Sequence, residues 1–336
     1  MSSAFLDPAI LFFMLGVGAG LLRSNLHIPE SISKFLSLYL LMAIGLKGGF
    51  ALAETGFTQE VGASLAAAIS LALLIPLLAR WWLERITSTW NALAIAATYG
   101  SVSAVTFVTA LAHLEALNID YGGHMMAALA LMESPAILLA MLGAHHLRQR
   151  AVASSVIPKD PTALEAAQQP VPSHPLRHVI KEALTEGPQL LLLGAMVVGY
   201  LSGGTGSDAM KPFTGDLFKG MLAFFLLDMG LLTARNLPAL KGQKPALMLY
   251  ALVAPLLHAS MALGIGVLLE LALGNTILLM VLAASASYIA VPAVLRYAIP
   301  EASPPLYFGL SLGLTFPFNI LIGISLYSHV AQWVMS

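Results

Sequence analysis

The chain has 336 residues, of which 58% are hydrophobic and 10% are charged. It is too apolar for a soluble domain and too long for one membrane span, so we expect a polytopic membrane protein. A formal net charge of -1 gives no reason to expect a nucleic-acid partner, and the absence of cysteine excludes disulfides and thiolate metal sites. The apolar N-terminal segment lacks the basic residues of a signal peptide, so we expect it to be retained as a helix.

Ten apolar runs approach the length of about 20 residues that a spanning helix needs. They predict an all-α protein with ten transmembrane helices, at 8–23, 33–53, 61–82, 90–113, 122–147, 188–203, 213–234, 245–271, 275–299 and 305–332. A polar linker at 148–187 separates residues 1–147 from residues 188–336, with five spans in each part. Helical spacing inside the linker predicts a short interfacial helix with the apolar residues Leu176, Val179, Ile180 and Leu184.

Lysine and arginine are distributed unevenly between alternate loops. Lys211 and Lys219 fall on one side, Lys47 lies within a span, and all the other cations fall on the opposite side. Because cytoplasmic loops are enriched in these residues, the linker is predicted to be cytoplasmic and both termini to face the outside of a bacterial inner membrane. The cytoplasmic set comprises Arg23, Lys34, Arg80, Arg85, Arg148, Arg150, Lys159, Arg177, Lys181, Arg235, Lys241, Lys244 and Arg296.

Three segments of the first half match three segments of the second half in the same order. "LLMAIGLKGG" (40–49) matches "FLLDMGLLTA" (225–234), aligning Gly45 with Gly230. "YGSVSAVT" (99–106) matches "SASYIAVP" (285–292), and "MESPAIL" (132–138) matches "TFPFNIL" (315–321). A duplicated unit with five spans must have opposite orientations in its two copies, so the pattern predicts two inverted repeats.

The second pair of matching segments interrupts spans 4 and 9 with small and hydroxyl residues. A helix broken at the bilayer midplane leaves backbone groups unpaired, which is tolerated only where protein or a polar cavity satisfies them. Inverted-repeat carriers use such half-helix N-termini for an anion and free carbonyls or hydroxyls for Na+. An alternative is that the small residues only permit close helix packing. The residues concerned are Gly100, Ser101, Ser103, Thr106, Ser285, Ser287 and Pro292.

Several motifs together resemble the sodium-dependent bicarbonate transport family, which includes the cyanobacterial high-affinity bicarbonate transporter. They are "IGLKGG", "GSVSAVTFVTA", "MESPAILLA", "LLDMGL", "ASASYIAVPA" and "TFPFNI", and the resemblance covers nearly the whole chain outside the linker. It implies a core domain with crossed broken helices, a gate domain, a homotrimer and Na+-coupled bicarbonate uptake by an elevator-like movement. The cyanobacterial proteins also bind a PII-like regulator, for which the linker here looks short.

The second interruption departs from the cyanobacterial pattern. Tyr288 stands where that pattern has an aspartate, and Ala290 stands where it has a serine, so a carboxylate is missing. The predicted substrate-binding residues are Gly100, Ser101, Ser103, Ser285, Ser287 and Tyr288. The predicted Na+ ligands are Thr106, Glu133, Thr315 and Asn319, and no cofactor is predicted beyond Na+ as the coupling ion.

Buried charges in other spans also require an interpretation. Since an ionised side chain in lipid costs at least about 2.5 kcal/mol, Lys47 and Asp228 should each have a partner. They either compensate charge during transport, extend their charged ends to the membrane interface, or form a static pair that fixes packing. Glu133 is a candidate ligand for Na+ or a proton, and His258 either relays protons or packs with a hydrogen bond.

Two other functions fit parts of the sequence. A carrier on the same scaffold could move another small monovalent anion or carboxylate with H+ or Na+. An intramembrane serine protease could use Ser103 with His113 or His258, but it would not require a second matching interruption. The chain has no HExxH, Walker A or GxSxG motif, so a zinc protease, an ATP-driven pump and an esterase are not indicated.

Overall fold

The computed structural model describes residues 7–154 and 187–336, which are helical and contain no strand. The predicted all-α class is confirmed for these ranges. Most of the predicted linker, including its interfacial helix, lies outside the described residues. The helices are α1 (Pro8–Leu21), α2 (Glu30–Thr55), α3 (Gln59–Leu83), α4 (Thr89–Gly100), α5 (Ala104–Ala116), α6 (Met125–Ser154), α7 (Gly187–Lys211), α8 (Leu217–Asn236), α9 (Pro245–Leu268), α10 (Leu273–Ala284), α11 (Ala290–Ala298) and α12 (Pro304–Met335).

Local sequence accounts for several helix starts. Asp7 Oδ1 accepts a hydrogen bond from Ala9 N at 2.8 Å at the start of α1, and Thr58 and Ser88 act in the same way for α3 and α4. A side-chain oxygen at this position satisfies a backbone N–H that has no partner within the helix. Helix α6 continues to Ser154, beyond the predicted end of span 5 at residue 147.

Seven helical stretches in the described ranges are long and apolar enough to cross a membrane. Two differences separate this number from the ten predicted spans. Helix α1 has 14 residues and α10 has 12, so both are too short by length alone, and Gly187–Leu240 forms one stretch of 54 residues. Within that stretch Gly203 has φ 54° and ψ -144°, a left-handed conformation that glycine adopts without strain and that ends the first straight segment. The stretch therefore bends at the predicted end of span 6.

The outer surface carries many large apolar side chains. Examples lie on α1, α3, α7 and α9, where Leu15, Leu77, Leu201 and Leu257 are exposed. Apolar surface of this extent is solvated by lipid rather than by water. The chain is therefore a multi-pass membrane protein, as its composition predicted.

The helices pack in two groups. The four-helix group consists of α1, α2, α7 and α8, in which α2 packs along α7 and α1 packs along α8. The broken-helix group consists of α3 to α6 and α9 to α12, in which α3 packs on α4 and α6, and α9 packs on α10. Two hydrophobic clusters run through the second group, one around α4 and α11 and the other around α5 and α10. The latter also contains residues of α1, α2, α7 and α8.

Glycine makes the two long pairings of the four-helix group possible. A Cβ at Gly45 of α2 would lie 2.8 Å from Ala195 Cβ of α7, and one at Gly230 of α8 would lie 3.0 Å from Gly16 Cα of α1. Such close backbone approach needs small residues on both helices. The two glycines aligned from the sequence thus make equivalent contacts in the two pairs.

Candidate functional site

Both interruptions are short non-helical segments between half-helices. Helix α4 ends at Gly100, Ser101 to Ser103 are not helical, and α5 begins at Ala104. Ser103 caps α5, because its Oγ accepts hydrogen bonds from Thr106 N at 3.2 Å and from Thr106 Oγ1 at 3.0 Å. Ser101 Oγ donates to the Glu133 carbonyl at 3.4 Å, which ties the segment to α6.

The second interruption has the same construction. Helix α10 ends at Ala284, whose carbonyl accepts a hydrogen bond from Asn319 Nδ2 at 2.9 Å. Ser287 Oγ accepts from Val291 N at 3.3 Å, which ties the interruption to the first turn of α11. Pro292 falls in the first turn of α11, where its missing N–H removes no intrahelical hydrogen bond.

Two hydrogen bonds join the interruptions directly. Ser103 N donates to Ser285 Oγ at 3.0 Å, and Ser287 N donates to the Thr98 carbonyl at 2.8 Å. Helix α4 lies beside α11 and α5 lies beside α10, so the two broken helices cross in opposite directions. Backbone groups that lack partners within their own helix are therefore paired across the crossing.

A cavity of about 60 Å³ opens beside the crossing. This is room for a few waters or a small ion. Residues at the start of α5 and just before α11 line it, together with residues of α2, α6 and α7. Its polar lining residues are Ser37, Ser103, Glu133, Gln189, Ser287 and Tyr288.

Glu133 is the only charged side chain in this lining, within the ranges that the structure describes. Gln189 Nε2 at the start of α7 donates a hydrogen bond to Glu133 Oε2 at 3.0 Å. The bond connects α6 of the broken-helix group to α7 of the four-helix group. A carboxylate is an oxygen ligand of the kind that suits a cation such as Na+.

Tyr288 is 6% exposed, and its ring packs edge-on against Phe316 at 5.1 Å between ring centroids. Its hydroxyl lies beside Ser103 but makes no hydrogen bond of ordinary geometry with the described part of the chain. A buried hydroxyl without a partner costs free energy, typically about 1 to 3 kcal/mol. In the described residues, the second interruption therefore places a tyrosine hydroxyl without an ordinary hydrogen bond at the cavity.

The structure brings together only part of the predicted site. Ser103, Ser287, Tyr288 and Glu133 line the cavity, whereas Gly100, Ser101 and Ser285 are buried in the crossing itself. Three of the predicted Na+ ligands are bonded elsewhere and do not line the cavity. Thr106 bonds to Ser103, Thr315 Oγ1 donates to the Ala251 carbonyl at 2.7 Å, and Asn319 bonds to Ala284 and Tyr327.

Lys47 and Asp228 both have partners, but not each other. Lys47 Nζ lies 2.8 Å from Glu115 Oε1 at the end of α5 and 4.6 Å from the centre of the Phe218 ring. Asp228 is buried and accepts a hydrogen bond from Ser33 Oγ near the start of α2. Ser33 and Lys47 are about 21 Å apart along α2 at 1.5 Å per residue. Neither residue is among those that line the cavity.

The histidines do not approach Ser103 in hydrogen-bonding geometry. Ser103 Oγ is engaged with Thr106, and His258 is buried beside the Ala283 carbonyl, with Nδ1 unpaired in the described ranges. The same ranges contain no cluster of three His, Asp or Glu side chains that could hold a metal ion. The site is one of hydroxyls, helix ends and one carboxylate.

Two residues of the site were not anticipated from the sequence. These are Gln189 and Ser37, which line the cavity. Outside the cavity, Glu115 was not anticipated as the partner of Lys47 either. Gln189 is a polar residue at the start of the apolar run "PQLLLLGAMVVGY", which is the signal that would have identified it. Ser37 has no comparable signal, because the start of span 2 contains several serines.

Comparison with known proteins supplies the family. The model of the Na+-dependent bicarbonate transporter superfamily matches residues 8–332. No curated protein matches the chain. Because the match extends from the start of α1 almost to the end of α12, it includes both interruptions and every residue that lines the cavity. The chain belongs to the Na+-dependent bicarbonate transporter superfamily.

Proposed function

We propose that the protein is a secondary active transporter that couples Na+ to the uptake of bicarbonate across a bacterial inner membrane. The observation that carries the proposal is the pair of interrupted helices joined by the Ser103–Ser285 and Ser287–Thr98 hydrogen bonds beside a small polar cavity. Half-helix N-termini favour an anion, and hydroxyls and a carboxylate are suitable Na+ ligands. The family description agrees with this pairing of substrate and ion.

The proposed architecture has ten spans in two inverted repeats, residues 1–147 and 188–336, joined by the linker at 148–187. Three features support it. Helix α1 (span 1) pairs with α8 (span 7), and α7 (span 6) pairs with α2 (span 2). Exchanging the two repeats, so that span 1 becomes span 6 and span 2 becomes span 7, converts the first pair into the second. The breaks fall in the fourth and ninth spans, and α3 and α9 carry Pro76 and Pro255 inside their helices.

The proposed transport movement is an elevator-like displacement of the broken-helix group against the four-helix group. In the described ranges, the hydrogen bonds between the groups include Glu133 to Gln189, Lys47 to Glu115 and Thr233 to the Leu312 carbonyl. Breaking and remaking a small number of such contacts permits rigid-body movement. The homotrimer, the outward-facing termini and a PII-like regulator remain predictions.

Energetics limit the coupling. If one Na+ accompanies one bicarbonate, no net charge moves, and a membrane potential worth about 2.3 kcal/mol per charge per 100 mV does no work on the cycle. Uptake would then depend on concentration gradients alone. A second Na+ per anion would make transport electrogenic.

A second function on the same scaffold is H+- or Na+-coupled transport of another small monovalent anion or carboxylate. Tyr288 favours it, because a neutral donor in place of an aspartate changes what the second interruption can bind. Acetate, formate and nitrate are all small enough to be tested in the same way as bicarbonate.

Uptake into proteoliposomes tests both functions. Purified protein is reconstituted, and labelled bicarbonate uptake is measured with an inward Na+ gradient or with choline in place of Na+, then with each competing anion. Na+-dependent bicarbonate uptake that acetate and formate do not reduce supports the proposal. Uptake of another anion in its place, or uptake independent of Na+, would require the second function.

Variants at the interruption connect the activity to the site. Ser101→Ala and Ser103→Ala should raise the bicarbonate concentration for half-maximal uptake about tenfold, since removing a buried polar contact costs about 1 to 3 kcal/mol. The control is Ser260→Ala, at an exposed serine of α9 whose Oγ bonds only to the Leu256 carbonyl within its own helix. Unchanged affinity in both site variants would argue against their role.

A further inference from the structure

A second cavity, the lateral groove, has a volume of about 200 Å³ and lies between α3, α4 and α6 of the broken-helix group. It shares no lining residue with the cavity beside the crossing. Ala136, Ala140 and Gly143 recur at helical spacing along α6, so one face of that helix lines the groove with small residues. Leu77 and Leu142 also line it and are 54% and 50% exposed. The groove therefore opens onto apolar surface of the kind that meets lipid.

One end of the lateral groove carries a cation. Arg80 of α3 is the only charged residue in the lining, within the residues that the structure describes. A Cβ at Gly143 would lie 3.1 Å from Arg80 Nη1, so the guanidinium lies against the groove. Arg80 Nε donates to Glu84 Oε1 at 2.8 Å, whereas Nη1 and Nη2 make no hydrogen bond with the described part of the chain. Such planar paired donors match the oxygens of a phosphate group.

The cationic end lies where lipid headgroups are expected. Arg80 is three residues before the end of α3 and is followed by Trp81, and tryptophan is enriched at the membrane interface. Arg85 stacks on the Trp81 ring at 3.6 Å, and Lys244 Nζ bonds to a backbone carbonyl just after α3 at 2.8 Å. These two cations keep the local charge positive although Glu84 offsets Arg80. The charge distribution predicts this end to be cytoplasmic, where the leaflet contains anionic lipids.

We propose that the lateral groove binds one anionic phospholipid, with an acyl chain against the small residues of α4 and α6 and the headgroup phosphate on the Arg80 guanidinium. From Ala136 to Gly143 the groove extends about 10 Å along α6, at 1.5 Å per residue. A volume of about 200 Å³ over this length is narrower than a helix, which measures about 10 to 12 Å across with its side chains. A hydrocarbon chain therefore fits where a helix of a second copy does not.

The lipid site is separate from the proposed transport function. All three helices that form the lateral groove belong to the broken-helix group, so the lipid is held within one of the two packed groups. Its binding requires no substrate and no Na+. It is therefore measured on the protein alone, and its outcome leaves the proposed function as it stands.

Native mass spectrometry of the purified full-length protein tests the headgroup contact. Delipidated protein in detergent is titrated with dioleoyl phosphatidylglycerol or with dioleoyl phosphatidylcholine, which has the same acyl chains but no net charge. Wild-type protein should bind the anionic lipid about tenfold more tightly, because a charged hydrogen bond to the phosphate is not offset by choline. Arg80→Gln should bind both lipids with the weaker affinity.

Arg23→Gln is the control for the loss of one positive charge, because Arg23 is an exposed arginine after α1, in the four-helix group. It should keep the wild-type preference for the anionic lipid. Retention of that preference in Arg80→Gln, or an equal loss of it in Arg23→Gln, would overturn the proposal.

Ala140→Leu tests the acyl-chain contact. The larger side chain occupies the lateral groove, so binding of both lipids should weaken about tenfold. Ala66→Leu is the matched control, because Ala66 is an exposed alanine of α3 outside the groove lining. Thermal unfolding verifies that both variants are folded, and the Arg80→Gln result decides the proposal if Ala140→Leu is not. Unchanged lipid binding in folded Ala140→Leu, or a change in oligomer mass instead, would contradict the assignment.

Discussion

Gly100 ends α4 against the ring of Pro76 in α3. A Cβ at this position would lie 2.7 Å from three ring carbons of Pro76, closer than side chains approach in folded proteins. Proline lies inside α3 and cannot move without bending that helix. The glycine is therefore required by close approach at the last turn before the interruption.

Gly100→Ala should reduce the stability of the protein by about 1 to 3 kcal/mol, because the added methyl group overpacks the contact with Pro76. Gly264→Ala is the control, since a Cβ there meets no atom within 4 Å, and alanine in a helix should be neutral or slightly stabilising. Thermal unfolding in detergent measures both. Equal stability of the two variants would show that α3 and α4 are not in this contact.

At the scale of single residues, the sequence predicts which types of residue form the interruptions better than it predicts which side chains they contact. The hydroxyl residues of "GSVS" and "SAS" were selected because an interruption needs polar groups. Ser103 does cap α5, and Ser287 accepts a hydrogen bond from Val291 N in the first turn of α11. The partners could not be predicted, because Lys47 and Glu115 are 68 residues apart and Glu133 and Gln189 are 56 residues apart. Such contacts depend on tertiary packing and have no local signature.

Helices were easier to predict than their contacts. The apolar runs locate the helices to within a few residues, except that α6 extends to Ser154 and α7 continues beyond the bend at Gly203. The described helices give seven stretches that meet the length and hydropathy of a span, because α1 and α10 are short and α7 and α8 are continuous. Hydropathy alone cannot divide a continuous apolar helix into two crossings.

An ion pair joins the end of α6 to the segment between α11 and α12. Arg148 forms two hydrogen bonds with the Glu301 carboxylate, at 2.9 and 2.8 Å, and a third with the Ala298 carbonyl at 3.0 Å. The hydrogen bond from Arg148 lowers the pKa of Glu301 below its ordinary value. A carboxyl group whose pKa is lower in the folded state stabilises the protein above its unfolded pKa and loses that contribution as the pH falls.

Glu301→Gln should therefore destabilise the protein at neutral pH by about 1 kcal/mol or less, because the pair is partly exposed. The difference from wild type should shrink as the pH falls below about 4.3, the unfolded pKa of glutamate. Thermal unfolding over this pH range measures it. Glu54→Gln, at an exposed position of α2, controls for general acid sensitivity. A difference that grows towards low pH would contradict the assigned pair.

At the scale of the whole molecule, the arrangement in the membrane is the main proposal that extends beyond the described helices. Charge distribution predicts Arg85 and Lys241 on the cytoplasmic side, and the alternation of ten spans places Asn118 and Lys211 outside. Ten spans place four crossings between Arg85 and Lys241. If each of the seven apolar stretches crossed the membrane once, there would be three crossings between these residues. Arg85 and Lys241 would then lie on opposite sides of the membrane.

Single cysteines distinguish these arrangements, and the chain contains no native cysteine to interfere. Arg85→Cys, Asn118→Cys, Lys211→Cys and Lys241→Cys are treated in intact cells with a membrane-impermeant maleimide. Ten spans predict labelling at positions 118 and 211 only, with positions 85 and 241 labelled after the membrane is opened. Labelling of position 85 or 241, but not both, in intact cells would contradict ten spans.

The central claim is that the crossing of two interrupted helices forms the binding site of an anion carrier. A cryo-electron microscopy map of the protein in Na+ and bicarbonate tests it most directly. The account predicts density in the cavity, in contact with the start of α5 and the residues just before α11. Bicarbonate density elsewhere, or α4 and α5 joined as one uninterrupted helix, would contradict it.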